Sequence, residues 1–271
     1  MRIAIIHDPT STHASTWRQW LESAHFDVDV IHDDDTFNHA KDIRYDLVIP
    51  LITIRDYVDQ VNIRMKAVSY FESKGLKLLT PPHAIAASSD KLKTATILHN
   101  NKLPHPLTLL ADDFTWGHTL SAPLIMKPRF GHSGRSVRLI QSEDEYNKHK
   151  QNGMLVQRFI DNATCIRVTC SQFKILEAYK KIPPQGEHIA NINRGSTAQT
   201  IELTDEMRQL ALSAVAALGG GLMGVDILDS PEGLFILETN VPFGFDKSSN
   251  ELRDNLLALV KEEVAAPSQI P

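Results

Sequence analysis

Apolar positions along the chain follow two textures, one before and one after about residue 122. The first consists of short apolar blocks separated by stretches of helical periodicity. Arg2 to His7, Phe26 to Ile31, Asp46 to Leu51 and Leu76 to Leu79 read as buried strands. Thr16 to Ala24 and Met65 to Lys74 read as helices between them. Strands that alternate with helices predict an open parallel sheet, with ligands beyond the carboxyl ends of its strands. Asp8 is thereby placed near a site, a turn role for Asp8-Pro9 being the alternative. Pro81-Pro82 breaks the pattern, and Ser88-Ser89-Asp90 caps a helix to about Asn100. Leu103-Pro104-His105-Pro106 is a rigid connector into another strand.

After residue 122 the strands come close together. They are predicted at Pro123 to Lys127, Ser136 to Ile140 and Leu155 to Ile160, with more strand signal from Ile166 to Ala178. Ser142 and Glu145 form a capping box for the helix that follows them. Thr204 to Leu218 is an amphipathic helix, capped by Thr204, with Asp205 and Glu206 in its first turn. Leu222 to Leu228 and Leu234 to Asn240 are strands around the turn Asp229 to Gly233, and Asn250 to Glu263 is a final helix. The fold class is α/β, passing to α+β in the C-terminal part.

Composition narrows the function. Hydrophobic residues are 42% of the chain and charged residues 23%, with a net charge of -5, which argues against a nucleic-acid or lipid-surface partner. No apolar run approaches a membrane span and no targeting segment is visible, so a cytoplasmic protein is expected. Cys165 and Cys170 are five apart, an odd spacing that turns them to opposite faces of a strand and argues against a shared metal.

The richest stretch is Gly224-Val225-Asp226-Ile227-Leu228, the turn, and Phe235-Ile236-Leu237-Glu238-Thr239-Asn240. Glu238 and Asn240 leave one face of their strand. A symmetric hairpin about Pro231 would pair Asp226 with Ile236 and set Asp226 diagonal to Glu238. Two carboxylates and an amide oxygen suit magnesium carrying nucleotide phosphates. Upstream, Lys127 ends an apolar strand, and the loop Gly131-His132-Ser133-Gly134 follows before a second strand. Such a loop can fold its backbone N–H groups over phosphates beside the lysine charge. It is not a Walker loop, because no helix follows. Gly219-Gly220-Gly221-Leu222-Met223-Gly224 fits G-x-G-x-x-G but follows a helix, so it reads as a helix terminus and loop.

These motifs, in this order, resemble the ATP-grasp superfamily over about residues 84 to 248, and most closely its glutamate-ligase branch. The resemblance implies an ATP-grasp fold behind an N-terminal open parallel-sheet domain. It divides the chain into 1–84, 85–154 with the lid, and 155–271 with the metal-binding hairpin. It implies that Lys91 and Lys127 contact ATP phosphates and that Gly131, His132, Ser133 and Gly134 form the lid. Gln157, Arg158, Phe159 and Ile160 would be the adenine hinge, and Asp161 would reach the ribose. Arg167 would face the acyl phosphate and Arg194, in Asn193-Arg194-Gly195, the γ-phosphate. Asp226, Glu238 and Asn240 would hold magnesium, or manganese. The implied reaction joins a small-molecule or peptide carboxylate to an amine, through an acyl phosphate, with release of ADP and phosphate; relatives commonly form homo-oligomers. The chain departs from the pattern at Cys165, where the family has Asp, at Tyr179-Lys180-Lys181, for an acidic-Arg-Arg stretch, and at Val241 to Phe245. No general base stands out beyond the lid's His132. A kinase acting on a hydroxylated substrate and a nucleotide-binding module without turnover stay open at this point.

Overall fold

The computed structural model describes residues 1–8, 11, 13–35, 44–54, 58–131, 134, 136–184, 195–244 and 249–266. The chain begins with β1 (Arg2–His7), α1 (Ala14–Ser23), β2 (Asp27–His32), a 3-10 turn at Asp33–Asp35 and β3 (Leu47–Leu51). β1 lies between β2 and β3, parallel to both. Its side chains alternate: Ile3 and Ile5 join one apolar cluster with Trp17, Leu21 and the last helix, while Ala4 and Ile6 join another with Phe71 and Ile85. The fourth expected strand is only a bridge between Val48 and Leu78, because the chain turns away into Pro81-Pro82.

α2 (Val58–Ser73) leads to α3 (Pro82–Ser89) and α4 (Lys91–Asn100). α3 was not expected from the sequence. Pro82 sits in its first turn, where the missing N–H costs nothing, so the proline pair starts a helix instead of only breaking one. A four-stranded antiparallel sheet follows, in the order β4 (Thr108–Leu110), β7 (Met154–Arg158), β5 (Leu124–Pro128), β6 (Arg138–Ile140). α5 (Glu143–His149) follows β6, and its Tyr146 packs into this sheet's cluster. The boundary expected after residue 154 thus falls inside β7, which pairs on both sides within this sheet.

The second antiparallel sheet runs β10 (Thr197–Thr200), β9 (Ile175–Ile182), β8 (Thr164–Cys170), β11 (Met223–Ser230), β12 (Gly233–Asn240). Its Ile166, Val168, Val225, Ile227 and Ile236 pack into the cluster of Ala4, Ile6 and Phe71 with α6 (Asp205–Ala217), leaving the other face for chemistry. α6 ends in a Schellman turn: the Gly220 N–H donates to Val215 O at 2.9 Å and the Gly219 N–H to Ala216 O at 3.1 Å. The glycine run is therefore a helix terminus, as its context predicts. α7 (Asn250–Ala265) closes the order and buries Leu252 and Leu256 against β1–β3.

Candidate active site

Lys127 is 4% exposed on the face of β5 opposite Leu124 and Met126, which fill the core. Its Nζ donates to Gln157 Oε1 at 2.9 Å, and Gln157 Nε2 donates to Thr108 Oγ1 at 2.8 Å. The Thr108 hydroxyl donates in turn to the Pro106 carbonyl at 2.9 Å. Burial, with Lys91 nearby, lowers the Lys127 pKa to about 8 against the opposing pull of Glu238 and Asp226.

Lys91 begins α4. Asp90 caps that helix, accepting from the N–H groups of Leu92 and Lys93 at 3.0 and 3.2 Å, and its carboxylate is gripped by Arg129 through Nε at 2.8 Å and Nη2 at 2.5 Å. Lys91 Nζ donates to the carbonyl of Gly131 at 2.6 Å. Gly131 has φ +126, a conformation that L side chains rarely adopt, so the start of the loop depends on glycine. Between α4, β4, β7 and β12 lies a narrow cleft lined by Lys91, Leu98, Thr108, Gln157, Ile236 and Glu238.

The second sheet reaches this cleft through Glu238, which ends a row of directly paired residues, Tyr179, Arg167, Asp226 and Glu238, one from each of β9, β8, β11 and β12. The expected register is corrected here. Asp226 pairs with Glu238 itself: the turn is centred between Pro231 and Glu232, with Ser230 paired to Gly233, which moves the register by one residue, and a bulge between Asp226 and Ile227 takes up one further residue of β12. Beyond the bulge Ile227 pairs with Ile236, which a simple count from the turn would have given to Asp226. The bulge brings the two carboxylates opposite one another, with Asn240 in the next row across from Gly224. Gly224 is needed there, since a Cβ would come within 2.8 Å of Arg167 Nη1 and 3.0 Å of Phe243 Cβ.

Asp226 is 1% exposed and its carboxylate is fully engaged. Arg167 donates from Nε to Oδ1 at 2.6 Å and from Nη2 to Oδ2 at 2.9 Å. Lys181 Nζ donates to both oxygens at 2.8 Å, and Asn240 Nδ2 approaches Oδ2 at 3.4 Å. Burial would raise the carboxyl pKa, but Arg167 and Lys181 outweigh it and hold it well below the usual carboxylate range. Burial likewise works against the Arg167 charge, and Asp226 raises its pKa in spite of it. Cys165, directly across from Lys181, is pushed up to about 12 by burial and by Asp226 and is a neutral thiol. Glu238, in contrast, accepts no hydrogen bond among the described residues; it lines the cleft, and its charge favours that of Lys127. A hard-oxygen set is therefore present for a divalent cation. Glu238 is open to it, whereas Asp226 is shared with two cations.

The structure thus brings together Lys91, Lys127, Gln157, Arg167, Asp226, Glu238 and Asn240. Arg158 is exposed, and its guanidinium pairs with Glu232 at the hairpin tip. Ile160 is buried and Phe159 half-buried at the end of β7. Asp161 is exposed, and both its oxygens accept from Asn162, at 2.8 and 3.1 Å, which gives it a turn role. Gly134 has φ +64. His132, Ser133 and Arg194 lie outside the described residues. Sequence reasoning missed Lys181 as a partner of Asp226. The available signal was its spacing from Tyr179, which sets both on the face that carries Arg167.

Comparison with known proteins bears on the family and the fold. A sequence model described as the RimK-like ATP-grasp domain matches residues 88–262. The chain is 30% identical over 244 residues to a probable alpha-L-glutamate ligase of Vibrio atlanticus, covering 83% of this chain and 79% of that one. It is 26% identical over 227 residues to the coenzyme gamma-F420-2:alpha-L-glutamate ligase of Methanococcus maripaludis, covering 78% of each. Among solved structures, the ATP-grasp ligase PsnB in complex with a phosphomimetic precursor variant, Mg and ADP superposes with a TM-score of 0.75 at 16% identity, over 97% of this chain and 98% of that one. D-alanine–D-alanine ligase of Bacillus anthracis, complexed with ATP, superposes with a TM-score of 0.72 at 17% identity, over 97% of both chains. The chain belongs to the RimK-like ATP-grasp family.

Proposed function

We propose that this chain is an ATP-dependent carboxylate–amine ligase that extends an amino acid or peptide, with glutamate the first amine substrate to test, as the names of its relatives suggest. The observation that carries the reading is the pairing of Asp226 with Glu238 close enough to a buried Lys127 for both carboxylates to favour its charge. Lys127 and Lys91 would grip the nucleotide phosphates, Lys127 held in place by Gln157. Glu238 and Asn240, with Asp226, would hold magnesium, which supplies neutralising charge to the phosphates when bound. Arg167 lies beside them and would stabilise the transferring phosphoryl group, so that a substrate carboxylate becomes an acyl phosphate. The amine then attacks, forming the amide and releasing phosphate. Arg194 and the lid residues His132 and Ser133 are assigned to the γ-phosphate and to closure by their motif order alone, and Arg158 to Asp161 to the nucleoside end. We propose three units, with the second boundary moved beyond β7, and a cytoplasmic enzyme drawing on cytoplasmic ATP. Among the described residues no helix is long and apolar enough to cross a membrane.

The test supplies purified protein with ATP, magnesium, glutamate and a panel of amino acids and short peptides. ADP and phosphate formed together with a new amide support the reading. AMP and pyrophosphate would sink it, and a phosphorylated hydroxyl would show a kinase instead.

A further inference from the structure

A carboxylate offers about four lone-pair positions in its plane. Arg167 takes one on each oxygen of Asp226, at 2.6 and 2.9 Å, and Lys181 bridges the other two at 2.8 Å each. The saturation has a local cause. The direct cross-strand neighbour of Lys181 is Cys165, a neutral thiol that offers no counter-charge. Lys181 is 6% exposed and cannot turn its ammonium to water, so it reaches diagonally across β8 to the nearest buried anion, which is Asp226. A cation can coordinate Asp226 only by displacing one of these donors. Lys181 is the candidate to leave, because its single flexible stem holds a point charge, whereas Arg167 makes a fixed two-pronged fork.

We propose that Lys181 is a positioning residue that acts as the built-in counter-ion of Asp226, and that it must be drawn off before a divalent cation can use that carboxylate. The metal then enters together with nucleotide phosphates, which offer Lys181 a new anionic partner, and free metal is refused. This rests on the metal–nucleotide reading of the cleft but concerns a step that precedes turnover. The device keeps the site from being loaded with metal alone, and it makes Lys181 a further phosphate-facing cation beside Lys91 and Lys127 once the nucleotide is in place.

The test measures Mn2+ binding to the full chain by electron paramagnetic resonance of the free ion, first without nucleotide and then with the non-hydrolysable analogue AMPPNP. Without nucleotide, Lys181→Met is expected to bind Mn2+ about tenfold or more tightly than wild type, a difference of about 1.4 kcal/mol. Lys181→Arg restores the charge and is expected to bind as weakly as wild type. With AMPPNP the gap between wild type and Lys181→Met should close or reverse. Equal Mn2+ affinity of wild type and Lys181→Met without nucleotide would overturn the proposal, as would Lys181→Arg behaving like Lys181→Met. Lys181→Gln serves the same comparison if the methionine variant does not fold. AMPPNP binding to wild type in magnesium, measured calorimetrically, tests the nucleotide reading separately: its failure alongside a gain of Mn2+ binding in Lys181→Met would sink the function and leave the counter-ion role standing.

Discussion

Asp226→Asn removes one charge and almost no volume, and it isolates what the buried triad contributes to the fold. Arg167 is 7% exposed and Lys181 6%, and both direct their donors at Asp226. The amide can still accept, but it no longer balances two buried cations. Breaking a buried pair in this way costs about 3–5 kcal/mol, a large share of the roughly 5–15 kcal/mol that holds a domain folded. With a urea m-value of about 3 kcal/mol/M, the midpoint should fall by about 1–1.7 M. Glu238→Gln is the control: Glu238 accepts no hydrogen bond among the described residues, so its stability should change by no more than about 0.5 kcal/mol while magnesium-dependent turnover is lost. The pH dependence has a definite sign. Because the folded-state pKa of Asp226 lies below its unfolded value of about 3.9, its contribution is fully present above that value and is lost as pH falls below it toward the folded pKa. Wild-type stability should therefore drop below about pH 4 more steeply than that of Asp226→Asn. A cost under about 1 kcal/mol at pH 7, or parallel acid profiles, would refute the reasoning.

Two further outcomes follow from the geometry. Lys127, with its pKa lowered to about 8, should lose its charge as pH rises through that value, so AMPPNP affinity measured calorimetrically should fall by up to about tenfold per pH unit above it, with a flat profile in Lys127→Met. The folded chain binds this proton less tightly than the unfolded one, so the same group makes stability rise between about pH 8 and its unfolded pKa of about 10.4. Gly224→Ala sets a Cβ within 2.8 Å of Arg167 Nη1 and 3.1 Å of Arg167 Cδ, and should lower kcat through displacement of the guanidinium, with a stability loss of about 1–3 kcal/mol by urea melting.

The parts of this fold that announce themselves in sequence are those with a local cause. The alternating Ile3, Ala4, Ile5 and Ile6 read as a strand buried on both faces, and they are one. Lys127 at the end of an apolar strand and the spacing of Glu238 and Asn240 read as a site, and they converge. The pairing of Asp226 with Glu238 was out of reach because neither the centring of the turn between Pro231 and Glu232 nor the bulge after Asp226 is visible to a count from Pro231. β10 was missed because Thr197–Thr200 is exposed throughout and carries no apolar alternation. The part played by Lys181 depends on the register of β9, β8 and β11 together, with Lys181 45 and Arg167 59 positions from Asp226, which no window along the chain contains.

The central claim is that a substrate carboxylate is activated by phosphoryl transfer in this cleft. The most direct measurement follows oxygen from a carboxylate substrate labelled with 18O, incubated with the protein, ATP, magnesium and the amine. The account predicts that the released inorganic phosphate carries one 18O atom and that ADP is the nucleotide product. Unlabelled phosphate, or label recovered in AMP, would contradict it.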